Sequence, residues 1–322
     1  TFSNKFEFSK NFGVLGITTT IVITIVKSSL ALSLGLVGAL SIVRFRAAIK
    51  EPEELVYLFL VIAIGLGCGA GQIYITIIGT LFALISIVGI FVDERTLMGV
   101  NVWIKPLKFA ISTGIYILTV VYLITLYPHS KRKRNILNNL VSWSLLFEVG
   151  IIVAQGARSV QSHYNQTSLL DGLLFAAMGI LIAINVLIMG WFVFHTLRLK
   201  LKVDKTIQWT ILFGWIIILV GSWIGGQMIS QLSHNIGIAD GGDGLPLVNW
   251  STIAGDLRVA HFFGIHGLQA IPFFAYILLK KDQNYFTNQT YFGNIVRIVL
   301  CFCNWICVLP RNKVYLLSVS KL

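Results

Sequence analysis

Apolar runs of about the length that crosses a bilayer dominate this chain, and short basic loops separate them. A transmembrane helix needs about 20 mostly apolar residues. Such runs lie near 55–71, 73–92, 107–127, 138–157, 172–194, 207–231 and 259–279, with a weaker one near 294–309. Hydrophobic residues make up 56% of the sequence and charged residues only 12%, which is too apolar a balance for a soluble domain. The pattern predicts an all-α, polytopic integral membrane helical bundle of about eight to nine spans.

The first apolar stretch, residues 12–43, departs from this pattern. It carries Lys27 near its middle, and it is too long for one untilted span and too short for two. We therefore expect a broken or re-entrant helix there.

The distribution of positive charge predicts the topology. Basic runs at 131–134, 198–205 and 280–281 lie in alternate loops, so the positive-inside rule makes these loops cytoplasmic. The intervening loops are then external. They carry three polar segments, 103–108, 155–171 and 239–269. We expect the functional site where these segments converge, on the external side of the membrane.

The same count of crossings places Arg44 and Arg46 outside, where positive charge is disfavoured. Either an N-terminal segment is re-entrant, or these arginines pair with acidic residues in 51–54 inside the protein. Their guanidinium groups suit the oxygens of an anion or a lipid headgroup. The alternative is a simple anchor at the membrane interface.

The net charge of +12 does not indicate a nucleic-acid partner, because the basic residues lie in short loops beside apolar runs. There they set topology and meet anionic lipid headgroups. The expected partners are the lipid bilayer and either subunits of a membrane complex or further copies of the chain. The four cysteines show no paired spacing that would indicate a disulfide framework.

Residues 33–54 read SLGLVGALSIVRFR followed by AAIKEPEE. This motif resembles a bacterial membrane family of unknown function whose members are often encoded beside VTC-like polyphosphate polymerases, and the resemblance covers about residues 28–85. In that family a soluble C-terminal domain usually follows the membrane helices. Here further apolar runs follow instead.

A second set of motifs lies beyond residue 93. It comprises WIKPLKFAIS at 103–112, QGARSVQSHYN at 155–165, DGGDGLP at 240–246 and GDLRVAH at 255–261. Together they resemble a second uncharacterised bacterial polytopic membrane family over about residues 93–279. The two resemblances imply an N-terminal membrane unit, 1–92, a larger unit with external polar loops, 93–322, and a bacterial inner membrane.

Glu148, Gln155 and Arg158 are spaced by seven and three residues, so they share one stripe of a helix that runs from mid-membrane to the external surface. An ionisable group deep in a span usually faces a partner or a water-filled cavity. Glu148 is therefore a candidate for a proton or ion pathway. The alternative is a protonated carboxyl group bonded to a neighbouring helix.

Lys105 and Lys108 flank a proline at a helix start, a position where proline is tolerated. With external carboxylates they are candidates for a charge-lined site for an anionic or zwitterionic ligand, although most such lysines extend to the interface. We call this expected site the external vestibule. Its other expected members are Asp256, Arg258 and His261. Asp240 and Asp243 in a glycine-rich turn would also suit calcium, but such turns are common without metal.

His261 and His266 are five residues apart, which puts them about 140° apart on a helix, so they cannot easily share one small metal ion. His266 and Gln269 do share a face. Histidines from different segments could still bind a heme or a metal ion. His163, His261 and His266 are the candidate ligands, and the alternative is that each bonds loop backbone.

Three functions remain open from the sequence. The first is a non-enzymatic protein that binds or transports a small solute or ion through the external site. The second is a heme- or metal-dependent membrane enzyme, and the third is a structural subunit of a larger membrane complex. Transporters often show inverted repeats, and none is visible here. A closely spaced ligand set is also absent, so the cofactor stays unidentified.

Overall fold

The computed structural model describes residues 71–245 and 248–281, together with 61, 64, 65 and 67–69, with side chains described as far as Tyr276. Within these residues six long helices follow one another. They are α1 Ile73–Val92, α2 Ile104–Leu126, α3 Lys131–Ala157, α4 Leu169–Arg198, α5 Lys205–Gln231 and α6 Leu257–Lys281. Helices α1 to α5 are each long and apolar enough to cross a membrane. The prediction of an all-α, polytopic integral membrane bundle is confirmed.

The helix bounds follow the predicted spans, with one informative difference. α1 coincides with the predicted run 73–92, whereas α3 begins at Lys131 rather than at 138. Lysine and arginine are good helix formers, and the Ser130 side chain caps the helix by accepting from the Lys133 amide at 3.4 Å. α3 therefore continues into the headgroup region, since its 27 residues span about 40 Å against about 30 Å of hydrocarbon.

Several predictions fall outside the described residues. They are the broken helix in 12–43, the roles of Arg44 and Arg46, most of the span near 55–71 and the span near 294–309.

The most extensive helix packing joins α5 to α6. Gly221 and Gly264 face each other there. A Cβ atom on Gly221 would lie 2.8 Å from the backbone carbon of Gly264 and from the Ile265 nitrogen. Small residues drive helix association in membranes because they let two backbones approach closely. The two glycines therefore fix how closely α6 lies against α5, and with it the position of the side chains that α6 carries.

An aromatic core closes one end of the bundle, where the basic loops lie. Tyr127, Phe192 and Trp215 are fully buried, and the rings of Phe192 and Trp215 stack at 4.7 Å. The Trp215 indole donates to the Tyr127 hydroxyl at 3.1 Å, and that hydroxyl also bonds Thr196. The buried polar atoms are thus paired, as burial in a membrane protein requires. We call this the basic end.

The opposite end of the bundle carries the loops 93–103, 158–168 and 232–256, and we call it the polar end. Two short antiparallel strand pairs stiffen it. They are β1 Thr96–Leu97 with β2 Val100–Asn101, and β3 Asn235–Ile236 with β4 Gly255–Asp256. The three polar segments singled out in the sequence therefore lie at the same end of the bundle.

Candidate functional site

The three loops of the polar end contact one another directly. The Asn249 amide donates to the Met98 carbonyl at 3.2 Å, joining the third loop to the first. The Gln161 amide lies 3.5 Å from the Met98 sulfur, joining the second loop to the first. The rings of Tyr164 and His234 are 5.2 Å apart, joining the second loop to the third. The loops therefore form one continuous surface.

Asp93 holds the first loop and the start of α2. Its carboxylate accepts from the Arg95 guanidinium, with contacts of 2.6 and 2.8 Å, and from the Trp103 indole at 2.8 Å. The Trp103 ring packs against Gly89 of α1, where a Cβ atom would collide with it. Hydrogen bonds from Arg95 and Trp103 hold the pKa of Asp93 well below its usual range. These contacts fix the position of Lys105, two residues further on.

Asp171 joins the second loop to the helices on either side. Its carboxylate accepts from the Gln155 amide at 3.0 Å and from the Arg158 guanidinium at 2.7 Å. Arg158 also donates to the Gln155 side-chain oxygen at 2.7 Å, which closes a triangle. Ser168 caps α4 and donates to the same carboxylate at 2.6 Å. Gln155 and Arg158 thus bond Asp171 at the junction of α3 and α4.

Asp240 organises the third loop. Its carboxylate accepts from the backbone amides of His234 and Asn235, each at 3.0 Å, and contacts the His234 ring nitrogen Nδ1. Burial raises the pKa of Asp240, but the two amides and the His234 ring outweigh burial, so its pKa lies below the ordinary value. Burial and the nearby Lys105 lower the pKa of His234.

Asp256 and Arg258 form a two-point ion pair at the start of α6. Arg258 donates to the two carboxylate oxygens of Asp256 at 3.0 and 2.7 Å, and its own backbone amide donates at 2.9 Å. The Ser251 amide adds a further bond to Asp256 at 2.9 Å. The Asp256 side chain is almost fully buried, whereas about a quarter of Arg258 is exposed. These bonds use Nε and Nη2 of Arg258, whereas its Nη1 takes no part in them.

Three cations from two helices meet at this surface, and we call Lys105, Lys108 and Arg258 the cationic cluster. Each of the three interacts electrostatically with the others. The Lys108 ammonium contacts the Val248 carbonyl at 3.3 Å, and the half-buried Lys105 ammonium lies 5.9 Å from the centre of the Phe109 ring. Among the described residues, no ion pair joins Lys105 to a carboxylate. Arg258 is paired with Asp256, whereas Lys105 interacts with Asp240 and Glu148 only electrostatically.

Glu148 lies deeper, two turns of α3 below Gln155, and is 6% exposed. It interacts electrostatically with Lys105, so the buried carboxyl group and the cationic cluster are linked through that lysine. In the described part of the chain, Glu148 makes no ion pair with a neighbouring helix.

His163 faces the cationic cluster from the second loop. Its ring lies 5.6 Å from that of Phe109, and its Nδ1 is 2.9 Å from the Ser162 hydroxyl. Burial, with the positive charges of Lys105 and other nearby groups, holds the pKa of His163 well below its ordinary value. The imidazole is therefore neutral at pH 7.

The two histidines of α6 have different hydrogen-bond partners. His261 Nδ1 bonds the Gly221 carbonyl at 2.8 Å, so Nδ1 carries the proton and Nε2 is left with a lone pair. His266 Nε2 lies 3.5 Å from the Ser112 hydroxyl, and its ring is 4.5 Å from that of Phe262. Exchanging the side-chain amide oxygen and nitrogen of Gln269 would let the nitrogen donate to the Ile265 and His266 carbonyls of the same helix.

No group of three or more His, Cys, Asp or Glu side chains in the described residues is placed to hold a metal ion. His163, His261 and His266 as heme or metal ligands stay a prediction.

Sequence reasoning did not predict that Phe109 would lie beside Lys105 and His163, or that Tyr164 would contact His234. Tyr164 has a positive φ of 63°, which a bulky residue rarely adopts. Burial and the nearby Asp240 raise the pKa of Tyr164 to about 12. The residue stands in a motif that the sequence analysis singled out, but nothing in its spacing indicated that its ring would meet His234.

Comparison with known proteins assigns only the first part of the chain. Residues 3–102 match the family model described as Domain of unknown function (DUF4956). The match supports the expected likeness to a family of unknown function, over a longer stretch than the expected residues 28–85. No curated protein matches the chain, and no solved structure matches it either. The matched domain and the apolar helices are those of an integral membrane protein of unspecified activity.

Proposed function

We propose that the protein binds a small anionic solute at the polar end of its helical bundle. The observation that carries the proposal is the cationic cluster, in which Lys105 has no ion-pair partner among the described residues. Three cations kept close together repel one another, and an anion between them relieves that repulsion. Asp256 uses Nε and Nη2 of Arg258, so the remaining nitrogen Nη1 and the two ammonium groups are the donors for the oxygens of a phosphate or a carboxylate.

The surroundings of the cluster support an anion rather than a cation. Asp256 is satisfied by Arg258 and the Ser251 amide, and Asp240 is satisfied by the amides of its own loop. The nearby carboxylates therefore have few oxygens left to coordinate a metal cation. His163 is neutral and adds a polar group without charge.

The test is a titration of the detergent-solubilised full chain with inorganic phosphate and with acetate at constant ionic strength, followed by the thermal unfolding midpoint. We expect a saturable rise for the wild type, because a ligand that binds the native state stabilises it. Lys105→Gln should weaken the apparent affinity about tenfold or more, the effect of losing a charged hydrogen bond. Lys105→Arg should retain binding.

Lys202→Gln is the matched control, because Lys202 is an exposed cation in a loop at the basic end. It should bind both anions as the wild type does. An equal response of Lys105→Gln and Lys202→Gln would show a general salt effect and would remove the site.

Movement of the solute across the membrane is a further step of the same proposal. Glu148 is buried in α3 and interacts electrostatically with Lys105, which supports a route from the cluster into the membrane along α3. Glu148→Gln should then abolish proton-coupled uptake of phosphate into proteoliposomes while leaving phosphate binding intact. Unchanged uptake would exclude Glu148 from the route.

The remaining sequence predictions complete the proposal. We expect the polar end to be external, the membrane to be a bacterial inner membrane, and the chain to comprise the units 1–92 and 93–322. The association with polyphosphate polymerases and the second family over about 93–279 rest on resemblance alone.

A further inference from the structure

An open groove of about 470 Å³ lies between α3 and α4 at the basic end, far from the cationic cluster. Its volume falls in the range of about 300–1,000 Å³ that is usual for small-molecule sites. The groove is lined by Ser130, Arg132, Lys133, Ile136, Leu137, Leu187, Ile188 and Trp191. None of these residues has a role in the function proposed above.

Polarity changes in one direction along the groove. On α3, Arg132 and Lys133 stand in the first turn, and Ile136 and Leu137 follow one turn deeper into the bundle. On α4, Leu187 and Ile188 lie one turn deeper than Trp191. Basic and hydroxyl groups therefore form the rim. Aliphatic side chains line the deeper, open part of the groove, which we call its interior, and Ile136 and Leu187 are exposed there.

The rim lies at the level of the lipid headgroups. The 27 residues of α3 extend about 40 Å, roughly 10 Å more than the hydrocarbon thickness, so its first turn projects beyond the acyl chains. Trp191 has the amphipathic indole that is enriched at this level. The Lys133 ammonium lies 4.5 Å from the centre of the Trp191 ring, which holds one cation of the rim over the mouth of the groove.

We propose that this groove binds an anionic glycerophospholipid, with the phosphate against Arg132 and Lys133 and one acyl chain along the aliphatic interior. Charge complementarity supports this occupant, because two exposed cations border the groove and no acidic side chain lines it. A zwitterionic lipid would bring its own ammonium group against the same two cations. A free phosphate would leave the aliphatic interior exposed to water or to bulk lipid.

Native mass spectrometry of the full chain, released from detergent with phosphatidylglycerol or phosphatidylcholine added, tests the proposal. We expect retention of one phosphatidylglycerol and an affinity for it about tenfold or more above that for phosphatidylcholine, the effect of two cations near an anionic headgroup. The double variant Arg132→Gln/Lys133→Gln should lose this preference.

The matched control is the double variant Lys131→Gln/Arg134→Gln, which removes the same charge from the same turn but from residues that do not line the groove. It should keep the preference. Leu187→Trp fills the interior without changing the charge and should weaken retention, which tests the site even if the charge variant fails to fold.

Three results would overturn the proposal. The first is an equal loss of the phosphatidylglycerol preference in both double variants. The second is equal retention of the two lipids. The third is retention of soluble glycerol phosphate as strong as that of phosphatidylglycerol. The first would show general electrostatics, the second a groove filled by protein or by any lipid, and the third a simple phosphate site. Because no residue of the cationic cluster is altered, anion binding at the polar end is unaffected by each outcome.

Discussion

The guanidinium of Arg158 lies 2.7 Å from the carboxylate of Asp171, and this contact joins the last turn of α3 to the first turn of α4. Asp171 is almost fully buried, whereas nearly half of the Arg158 side chain is exposed. Sequence reasoning expected Arg158 to line a solute route together with Gln155. The hydrogen bonds in this triangle show that both residues also join two helix ends, and the role of Arg158 in a solute route stays a prediction.

The two members of this pair should therefore differ in their effect on stability. Asp171→Asn should lower the thermal unfolding midpoint more than Arg158→Gln does. In Asp171→Asn the buried Gln155 amide and the Arg158 guanidinium both lose their charged acceptor. In Arg158→Gln, water can take over part of the bonding, because the arginine side chain is partly exposed. The midpoint in detergent measures this, with Arg198→Gln as an exposed control. The reverse order, with lost uptake at unchanged stability in Arg158→Gln, would show that Arg158 acts mainly in the solute route.

The fold could be predicted because the hydrocarbon core of a bilayer strongly restricts which backbone structures can cross it. Every backbone group in the bilayer must be paired, so apolar runs of sufficient length become helices, and α1 coincides with its predicted bounds. The polar start of α3 at Lys131 was not predicted. A hydropathy pattern detects apolar runs, so it does not show that a helix continues into basic residues beyond the membrane edge. The alternation of basic loops also predicted which loops share an end of the bundle.

The site was less predictable, because its contacts depend on how the loops return to one another. The shared stripe of Gln155 and Arg158 was visible in the spacing, but their partner in the next helix could not be assigned from it. Likewise, the spacing of His261 and His266 predicted that the two cannot easily share one small metal ion. It could not show that the His261 ring would bond the carbonyl of Gly221 in another helix.

The close approach of α5 and α6 gives a second prediction. Gly221→Ala would place a methyl group 2.8 Å from the backbone of Gly264, so the helices must separate, at a cost of about 1–3 kcal/mol. Gly226→Ala is the matched control on the same helix. A Cβ atom there meets open space, and alanine favours helix over glycine by up to about 1 kcal/mol. The free energy of unfolding, measured in mixed detergent, should fall in Gly221→Ala but not in Gly226→Ala. An equal fall in both variants would contradict close packing at Gly221.

The half-buried, neutral His163 predicts a loss of stability in mild acid. Its pKa in the folded chain is well below 6.5 because of burial and the neighbouring Lys105, His234 and His261. Between those two pKa values the unfolded chain binds a proton that the folded chain does not, so stability falls as the pH drops below about 6.5. One such group contributes at most about 1.4 kcal/mol per pH unit.

His163→Gln should therefore reduce the fall in the unfolding midpoint between pH 7 and pH 5. A residual fall is expected from His234, whose pKa is also lowered. Asp240, with a lowered carboxyl pKa, loses its contribution only in stronger acid, so it does not confuse the comparison. Gln161→Asn, an exposed change in the same loop, is the control, and an acid response in His163→Gln equal to that of the control would contradict the prediction.

The orientation of the bundle gives the last prediction, and burial decides where to place the probes. Ser162 lies in the second loop but is only 5% exposed, so a cysteine there would react poorly from either side. Gln166 and Gly242 are exposed at the polar end, and Lys202 is exposed at the basic end. The positive-inside rule puts Lys202 in the cytoplasm.

In a chain whose four cysteines are replaced by serine, Gln166→Cys and Gly242→Cys should react with an impermeant maleimide added to intact cells. Lys202→Cys should react only after the cells are opened. The opposite pattern would place the cationic cluster on the cytoplasmic side, and its anion would then be one that the cell supplies. Labelling at both ends in intact cells would show that the chain inserts in two orientations, so the charge of the loops would not be what sets its topology.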